Sequence, residues 1–528
     1  MTRPWSKVDP LRRALASPMR TPSRAARLRL RSRLRFAMPL LAAIALGACT
    51  VGPDYHRPDA PVAATWKELE GTGWQPAQPA DALNRGAWWS VYQDPQLDAL
   101  EQKVAQANQN VIAANAHFRA ARATVAQYRS NFFPVIAAGG DYDRYRTSQN
   151  ELYTSKAGVT LNDYLVQADA SWEPDLWGRV SRSVEGAKAN AQASAADAQS
   201  VLLSMQAELA TDYFELRGID EERQLLDDTI KAYREAVTLT QNRYGGGIAT
   251  DADVAQAQTQ LRTTEAQAID LNVQRAQLEH AIAILSGESP STFSLPFAPL
   301  VAVPVVAPAG VPSALLERRP DIAAAERQVV NANAQVGVAT AAFFPNLMLS
   351  LTGGFEATNF SSWLMAPSRM WSLGPSLAGT ILDFGGRSAA KEQASAQYDA
   401  TVAQYRQTVL TAFGQVEDNL AALRVLEQEA GAQDQAVSAA KRSLAVVSDR
   451  YRNGAITYLD VVVAQTTALS NEREAVSIAR RRMAASVALV KALGGGWSAT
   501  ELPTDEQLVH PDAKVNGPAS GAAAANSG

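Results

Sequence analysis

Along most of the chain, apolar positions recur at helical spacing in segments rich in Ala and Gln, such as "AKANAQASAADAQSVLLSMQAELA". That composition favours long, closely packed helices. The pattern predicts helices over about 95–130 and 315–341, with Pro320 suited to a first helical turn. It also predicts unbroken helices over about 178–245 and 386–452, each on the order of 100 Å long at about 1.5 Å per residue. Phe-Phe-Pro stops the shorter helices, in "SNFFP" ending at Pro134 and "AAFFP" ending at Pro345. Beyond these stops the period drops to two. In "NLMLSLTGGF", Leu347, Leu349, Leu351 and Phe355 alternate with Asn346, Met348, Ser350 and Thr352. In "WSLGPSLAGTI", Trp371, Leu373, Leu377 and Ile381 oppose Ser372, Ser376 and Thr380. In "DYLVQADASWE", Tyr164, Val166, Ala168, Ala170 and Trp172 oppose Asp163, Gln167, Asp169, Ser171 and Glu173. Strands of about ten residues are expected, four in all.

The same features occur twice. "RYGGGIATDADVAQAQTQL" from Arg243 returns about 207 residues later as "RYRNGAITYLDVVVAQTTAL" from Arg450, and "DLWGR" (Asp175 to Arg179) returns as "DFGGR" (Asp383 to Arg387). The chain therefore reads as a duplicated unit, with copies at 95–288 and 315–495. Each copy holds helices, a β-hairpin and a long helical hairpin. A segment at 49–94 precedes them, a linker at 289–314 separates them, and a segment at 496–528 with a disordered-type tail follows. In each copy of the Arg-Tyr turn, Gly247 or Gly454 ends the long helix, and Thr250 or Thr457 caps the returning one. Both turns then fall at one end of the molecule.

Composition narrows the function. A net charge of −4, from 49 basic and 53 acidic residues, lacks the basic excess of a nucleic-acid-binding protein. The amino terminus combines the basic "RAARLRLRSRLRF" with the apolar "AMPLLAAIALGA", too short to span a membrane and built like a secretory leader at 1–48. Met19 offers an alternative start within it. The sole cysteine, Cys49, follows in "LGAC", a sequence that resembles a bacterial lipobox. Acyl chains on Cys49 would tether the chain without spanning, at about 0.8 kcal/mol per buried methylene. The histidines at 56, 117, 280 and 510 lack metal-ligand spacing, and no phosphate loop or nucleophile elbow occurs. Neither an enzyme nor a cofactor beyond the covalent lipid is expected.

Four two-faced strands between very long helices have no second sheet to cover them. Their length suits a tilted transmembrane strand. Four cannot enclose an aqueous lumen, and open edges are not tolerated in lipid, so the strands must be pooled in an oligomer. Three subunits would supply twelve.

"CTVGPDYHRP" from Cys49, "VPSALLERRPDIAAAERQV" from Val311, "AAFFPNLMLSLTGG" from Ala341 and the paired turns resemble the outer membrane factor family, the TolC-like channels, in the lipoprotein branch serving resistance-nodulation-division efflux. The resemblance implies a homotrimer, with a twelve-stranded β-barrel in the outer membrane continued by a periplasmic α-helical barrel. Its tips would meet a periplasmic adaptor and through it an inner-membrane pump. The implied role is a passive exit duct for small molecules such as drugs. By matched position, the resemblance assigns Asp253, Tyr451 and Asp460 to the closed tip, and the turns at Gly247, Thr250, Gly454 and Thr457 to adaptor docking. Two positions depart from the family pattern. Val463 stands where a second acid is found, and Ile456 where some members carry arginine, implying a weaker link between the hairpins. A type I secretion channel is the nearest alternative, and a periplasmic coiled-coil scaffold lipoprotein a more distant one.

Overall fold

The computed structural model describes residues 50–63, 65–69, 86–150, 158–301, 304 and 315–509. Cys49 and the leader before it lie outside the described residues, as do 305–314 of the linker and the tail beyond 509. The first copy contains α1 (Pro95–Ala107), α2 (Gln109–Ser130), β1 (Val135–Arg146), β2 (Thr160–Trp172), α3 (Arg179–Gly245) and α4 (Asp251–Leu285). The second contains α5 (Pro320–Ala341), β3 (Asn346–Ala357), β4 (Arg369–Ala378), α6 (Gly386–Arg452) and α7 (Tyr458–Ala492). Matching helices have equal lengths. Helices α2 and α5 have 22 residues each, α3 and α6 have 67, and α4 and α7 have 35.

The helix expected over 95–130 is two helices. Asn108 breaks it in an extended conformation, its side chain accepting from the amides of Asn110 at 2.9 Å and Val111 at 3.2 Å, while its Nδ2 donates to the Leu285 carbonyl at 2.9 Å. An N-cap of this kind is worth about 1 kcal/mol, enough to interrupt an otherwise uniform Ala-rich pattern. The long helices start as the "DLWGR" and "DFGGR" repeats suggest. The Asp175 carboxylate accepts from the amides of Val180 and Ser181 at 2.9 and 2.7 Å, and Asp383 accepts from Arg387 N at 3.1 Å. Gly178 and Gly385 precede the helices at φ of 77° and 94°, a left-handed conformation that favours glycine.

The two hairpins, α3–α4 and α6–α7, pack side by side, with α3 in contact with α2, α4, α5 and α7. The upper part of α3 buries Ala187, Ala189, Ala191, Ala193 and Ala196, small side chains that let α5 approach closely. At mid-height, Trp88, Trp89, Tyr92, Tyr213, Phe214 and Met483 form a broader core around α1. Glu101, on α1, is 0% exposed, and among the described residues its carboxylate has no hydrogen-bond partner. Burial, with the charge of Asp98 adding to it, pushes its pKa to about 9.

The sheet is an antiparallel meander in the order β1-β2-β3-β4, with β1 and β4 as open edges. Strand β4 stops at Ala378, earlier than the alternation suggests, and Ile381 lies outside it, 98% exposed. Asn346 pairs with Ala378 at the end of the ladder, and Pro345, one residue further, has no N–H to continue it. Strand β2 ends at Trp172, so Glu173 leaves the ladder and binds Arg179 instead.

Candidate functional site

Register fixes what each face of the sheet carries. Tyr142 pairs with Tyr164 and Ala138 with Ala168, while Ala168 pairs with Gly353, Ala170 with Leu351 and Trp172 with Leu349. Across the next ladder Leu351 pairs with Leu373 and Leu347 with Leu377. Paired residues share a face, so one face is apolar across all four strands. It is also bare: Ile136 is 76% exposed and Trp371 77%. The opposite face carries Asp141, Asp143, Asp163, Gln167, Asp169, Ser350, Thr352, Ser372 and Ser376. Thr352 donates to Asp169 there at 2.7 Å. The alternation expected from the sequence is thus aligned across the whole sheet.

Aromatic side chains flank the apolar band at both ends. At the far end Tyr142, Tyr164, Phe360 and Trp363 cluster, with the two tyrosine rings 4.8 Å apart. At the helix end Trp177 stacks on Phe344 at 4.8 Å, and Trp172 donates to the Phe132 carbonyl at 3.0 Å. Tyr164 and Trp172 are eight residues apart on the apolar row, roughly 26 Å at about 3.3 Å per residue. An apolar band of about that height between aromatic girdles is the pattern of an outer-membrane strand. Among the described residues no helix is long and apolar enough to cross a membrane.

The chain following Cys49 starts at the helix end of this band. Thr50 lies against Gly178, and Val51 N donates to the Trp177 carbonyl at 3.2 Å. From there it descends along α5. Asn333 donates to the Pro53 carbonyl, Arg182 to Asp54, and the Tyr55 hydroxyl to Glu326.

At the other end of the long helices the two turns lie together. Each is closed by the same pair of amide bonds. Ile248 donates to the Arg243 carbonyl at 2.8 Å and Gly247 to Tyr244 at 2.9 Å; Ala455 donates to Arg450 and Gly454 to Tyr451, both at 2.9 Å. Gly247 and Gly454 have φ of 74° and 77°, as the last residue of such a cap requires. Thr250 and Thr457 are the N-caps of α4 and α7. The amide and hydroxyl of Thr250 donate to Asp253 at 2.9 and 2.8 Å, and those of Thr457 donate to Asp460 at 3.1 and 2.9 Å. Each aspartate is therefore held within its own turn, and each also places negative charge at a helix amino terminus.

Tyr451 sits between the hairpins. It is buried, its ring lies 5.3 Å from that of Tyr458 in an edge contact, and its hydroxyl is 3.4 Å from Thr240 Oγ1. Arg243 completes this junction. Its guanidinium covers the Tyr451 ring at 4.8 Å and donates to the Arg452 carbonyl at 3.0 Å. Sequence reasoning put Arg243 in the repeat without giving it a role; the visible signal was its repeat partner Arg450, which the structure leaves exposed. The link expected to suffer from Ile456 is thus made from the first hairpin. Around the junction Tyr244, Ile248, Leu459 and Val463 are all more than half exposed.

A two-faced sheet with open edges, girdled by aromatics and joined to long paired helical hairpins, defines a subunit of a membrane channel. The family model for outer membrane efflux protein matches residues 100–288 and 311–495, and the chain belongs to that family. It is 31% identical over 457 residues to the probable efflux pump outer membrane protein TtgC of Pseudomonas putida, spanning 86% of this chain and 94% of the relative. It is 30% identical over 461 residues to outer membrane protein OprJ of Pseudomonas aeruginosa, spanning 87% and 95%. Among solved structures, the outer-membrane channel OprN superposes with a TM-score of 0.80 at 30% identity, over 85% of this chain and 100% of that one. The open state of the MtrE channel of Neisseria gonorrhoeae gives 0.74 at 28% identity, over 85% and 99%. The protein is an outer membrane channel component of an efflux pump, reaching from the membrane into the periplasm.

Proposed function

We propose that three copies of the four-stranded sheet close into one twelve-stranded barrel, with the apolar face toward lipid and the acidic, hydroxyl-rich face toward the lumen. The open edges of β1 and β4 carry this reading, because lipid offers no partner for their amides and carbonyls. The helical hairpins of the three copies continue the duct into the periplasm. Cys49 bears the lipid; support comes from Thr50, held at the foot of the band where acyl chains would enter the inner leaflet.

The tip is the gate and the docking point. Tyr451 and Arg243 tie the hairpins together in the closed duct, and Asp253 and Asp460, each held in its own turn, supply the negative charge of the tip. The exposed apolar side chains Tyr244, Ile248, Leu459 and Val463 around Gly247, Thr250, Gly454 and Thr457 offer a surface to a periplasmic adaptor. Binding of adaptor and inner-membrane pump biases the tip toward an open iris, and small molecules leave passively. Purified acylated protein in planar bilayers tests this. Small, flickering, cation-favouring currents from heat-sensitive trimers are expected. Inserted trimers that conduct nothing would overturn the duct.

A further inference from the structure

At the far end of the sheet, charge is sorted by face. The lumen-side face carries Asp143 paired with Asp163, and Asp141 and Glu356 flanking Leu165 in the adjoining row. The other face carries Arg144, paired with Asn162, Arg146, paired with Thr160, and Arg369, paired with Phe355. All three arginines are exposed, and among the described residues none is held in an ion pair. Arg369 Nε donates to the Ala366 carbonyl at 3.2 Å, which orients its guanidinium.

Arg144 and Arg146 lie beyond the outer aromatic cluster, whereas Arg369, through Phe355 and Val166, lies in the row of Gly140 beside it. Arg144 and Arg146 lie two and four residues beyond Tyr142 on the same face, roughly 7 and 13 Å further along the strand. Apolar side chains, then aromatics, then guanidinium groups is the order met on passing from acyl chains through the interface to headgroups. An unpaired guanidinium gains little from facing hydrocarbon, and forks onto phosphate with two parallel hydrogen bonds.

We propose that Arg144, Arg146 and Arg369 bind the phosphate groups of an anionic lipid in the outer leaflet. The proposal rests on the barrel reading above. In a closed barrel β1 of one copy borders β4 of the next, so Arg144 and Arg146 of one copy and Arg369 of the next lie on the two strands that form each seam. The lipid then bridges two subunits across that seam.

The test uses the full-length acylated protein in phosphatidylcholine nanodiscs, with and without bis-phosphorylated lipid A. Retained lipid A and the temperature at which the trimer dissociates are the readouts. Wild type is expected to bind lipid A and to dissociate at a higher temperature in its presence. Each arginine replaced by Gln should weaken binding about fivefold, and the triple variant R144Q/R146Q/R369Q on the order of 100-fold. The triple Lys variant should fall between, since it keeps the charge and loses the fork. Equal lipid A binding by wild type and the triple Gln variant overturns the proposal. So does equal stabilisation by inorganic phosphate in discs without lipid A. Brominated-lipid quenching that Trp371→Phe reduces separates the two readings: such quenching without lipid A preference removes only this proposal, whereas its absence removes the barrel itself.

Discussion

The Arg243 guanidinium lies 4.8 Å from the centre of the Tyr451 ring, across the boundary between the two helical hairpins. It is the residue that ties the turn of one repeat to the turn of the other, through the ring and through the Arg452 carbonyl. A cation over an aromatic face is worth about 1 kcal/mol at a partly exposed site, and a charged hydrogen bond about 1.5 kcal/mol or more.

Arg243→Ala should therefore loosen the closed tip. Single-channel recordings are expected to show a rise of roughly tenfold or more in the ratio of open to closed dwell times. Arg243→Lys should retain part of the closure, since it keeps charge without the planar fork. Unchanged dwell times in Arg243→Ala would place the closing contact elsewhere.

Capping and gating at Asp460 can be separated. Thr457→Ala removes one of the two donors to Asp460 and leaves the charge, at a cost of about 1 kcal/mol to the start of α7. Faster amide exchange over Tyr458–Val462 is expected with cation selectivity intact. Asp460→Asn should lower selectivity. If Asp460→Asn conducts with wild-type selectivity, the aspartate serves only to cap.

Gly354 is the tight point of the sheet. A Cβ there would lie 2.1 Å from the Val166 carbonyl oxygen and 2.8 Å from the Gln167 Cα, both backbone atoms of the neighbouring strand. Gly354→Ala should force β3 away from β2 and cost on the order of 2 kcal/mol or more. Loss of the heat-sensitive trimer band on gels is the expected result, whereas Gly353→Ala, with open space around it, should leave that band in place.

Glu101 gives a pH dependence with a definite sign. Its pKa rises from an ordinary 4.5 to about 9 in the folded chain, so between these values the folded state holds a proton that the unfolded state has released. Stability at this site is highest below pH 4.5, falls as pH rises, and stops falling above about 9. Glu101→Gln should stabilise the protein by about 3 kcal/mol at pH 7, and the gain should vanish toward pH 4.5. Denaturant melts at the two pH values check this, and a pH-independent difference would show that Glu101 is ionised in the fold.

Much of the architecture is legible locally, because the residues that end elements carry their own chemistry. Phe-Phe-Pro, Gly247, Gly454, Thr250 and Thr457 mark boundaries that the structure keeps, and alternation in β2 and β3 assigns faces correctly. Asn108 was hidden because one polar residue in an Ala- and Gln-rich run looks like any other until its cap bonds are seen. The end of β4 depends on Pro345, which stands just before the strand beside it. The candidate site was half legible for a similar reason. Asp253 and Asp460 stand out by repeat, but Arg243 acquires its role from Tyr451 and Arg452, more than two hundred residues away.

The equal lengths of the paired helices constrain how such a gene can change. One residue inserted into α3 alone would move its turn by about 1.5 Å and rotate it by about 100°, carrying Arg243 off the Tyr451 ring. The same insertion in α6 would restore the height of the second turn only if made on the matching side. Insertions and deletions in the two copies must therefore be tolerated as compensated pairs or not at all, so the duplication binds the two halves to a common length even where their sequences differ.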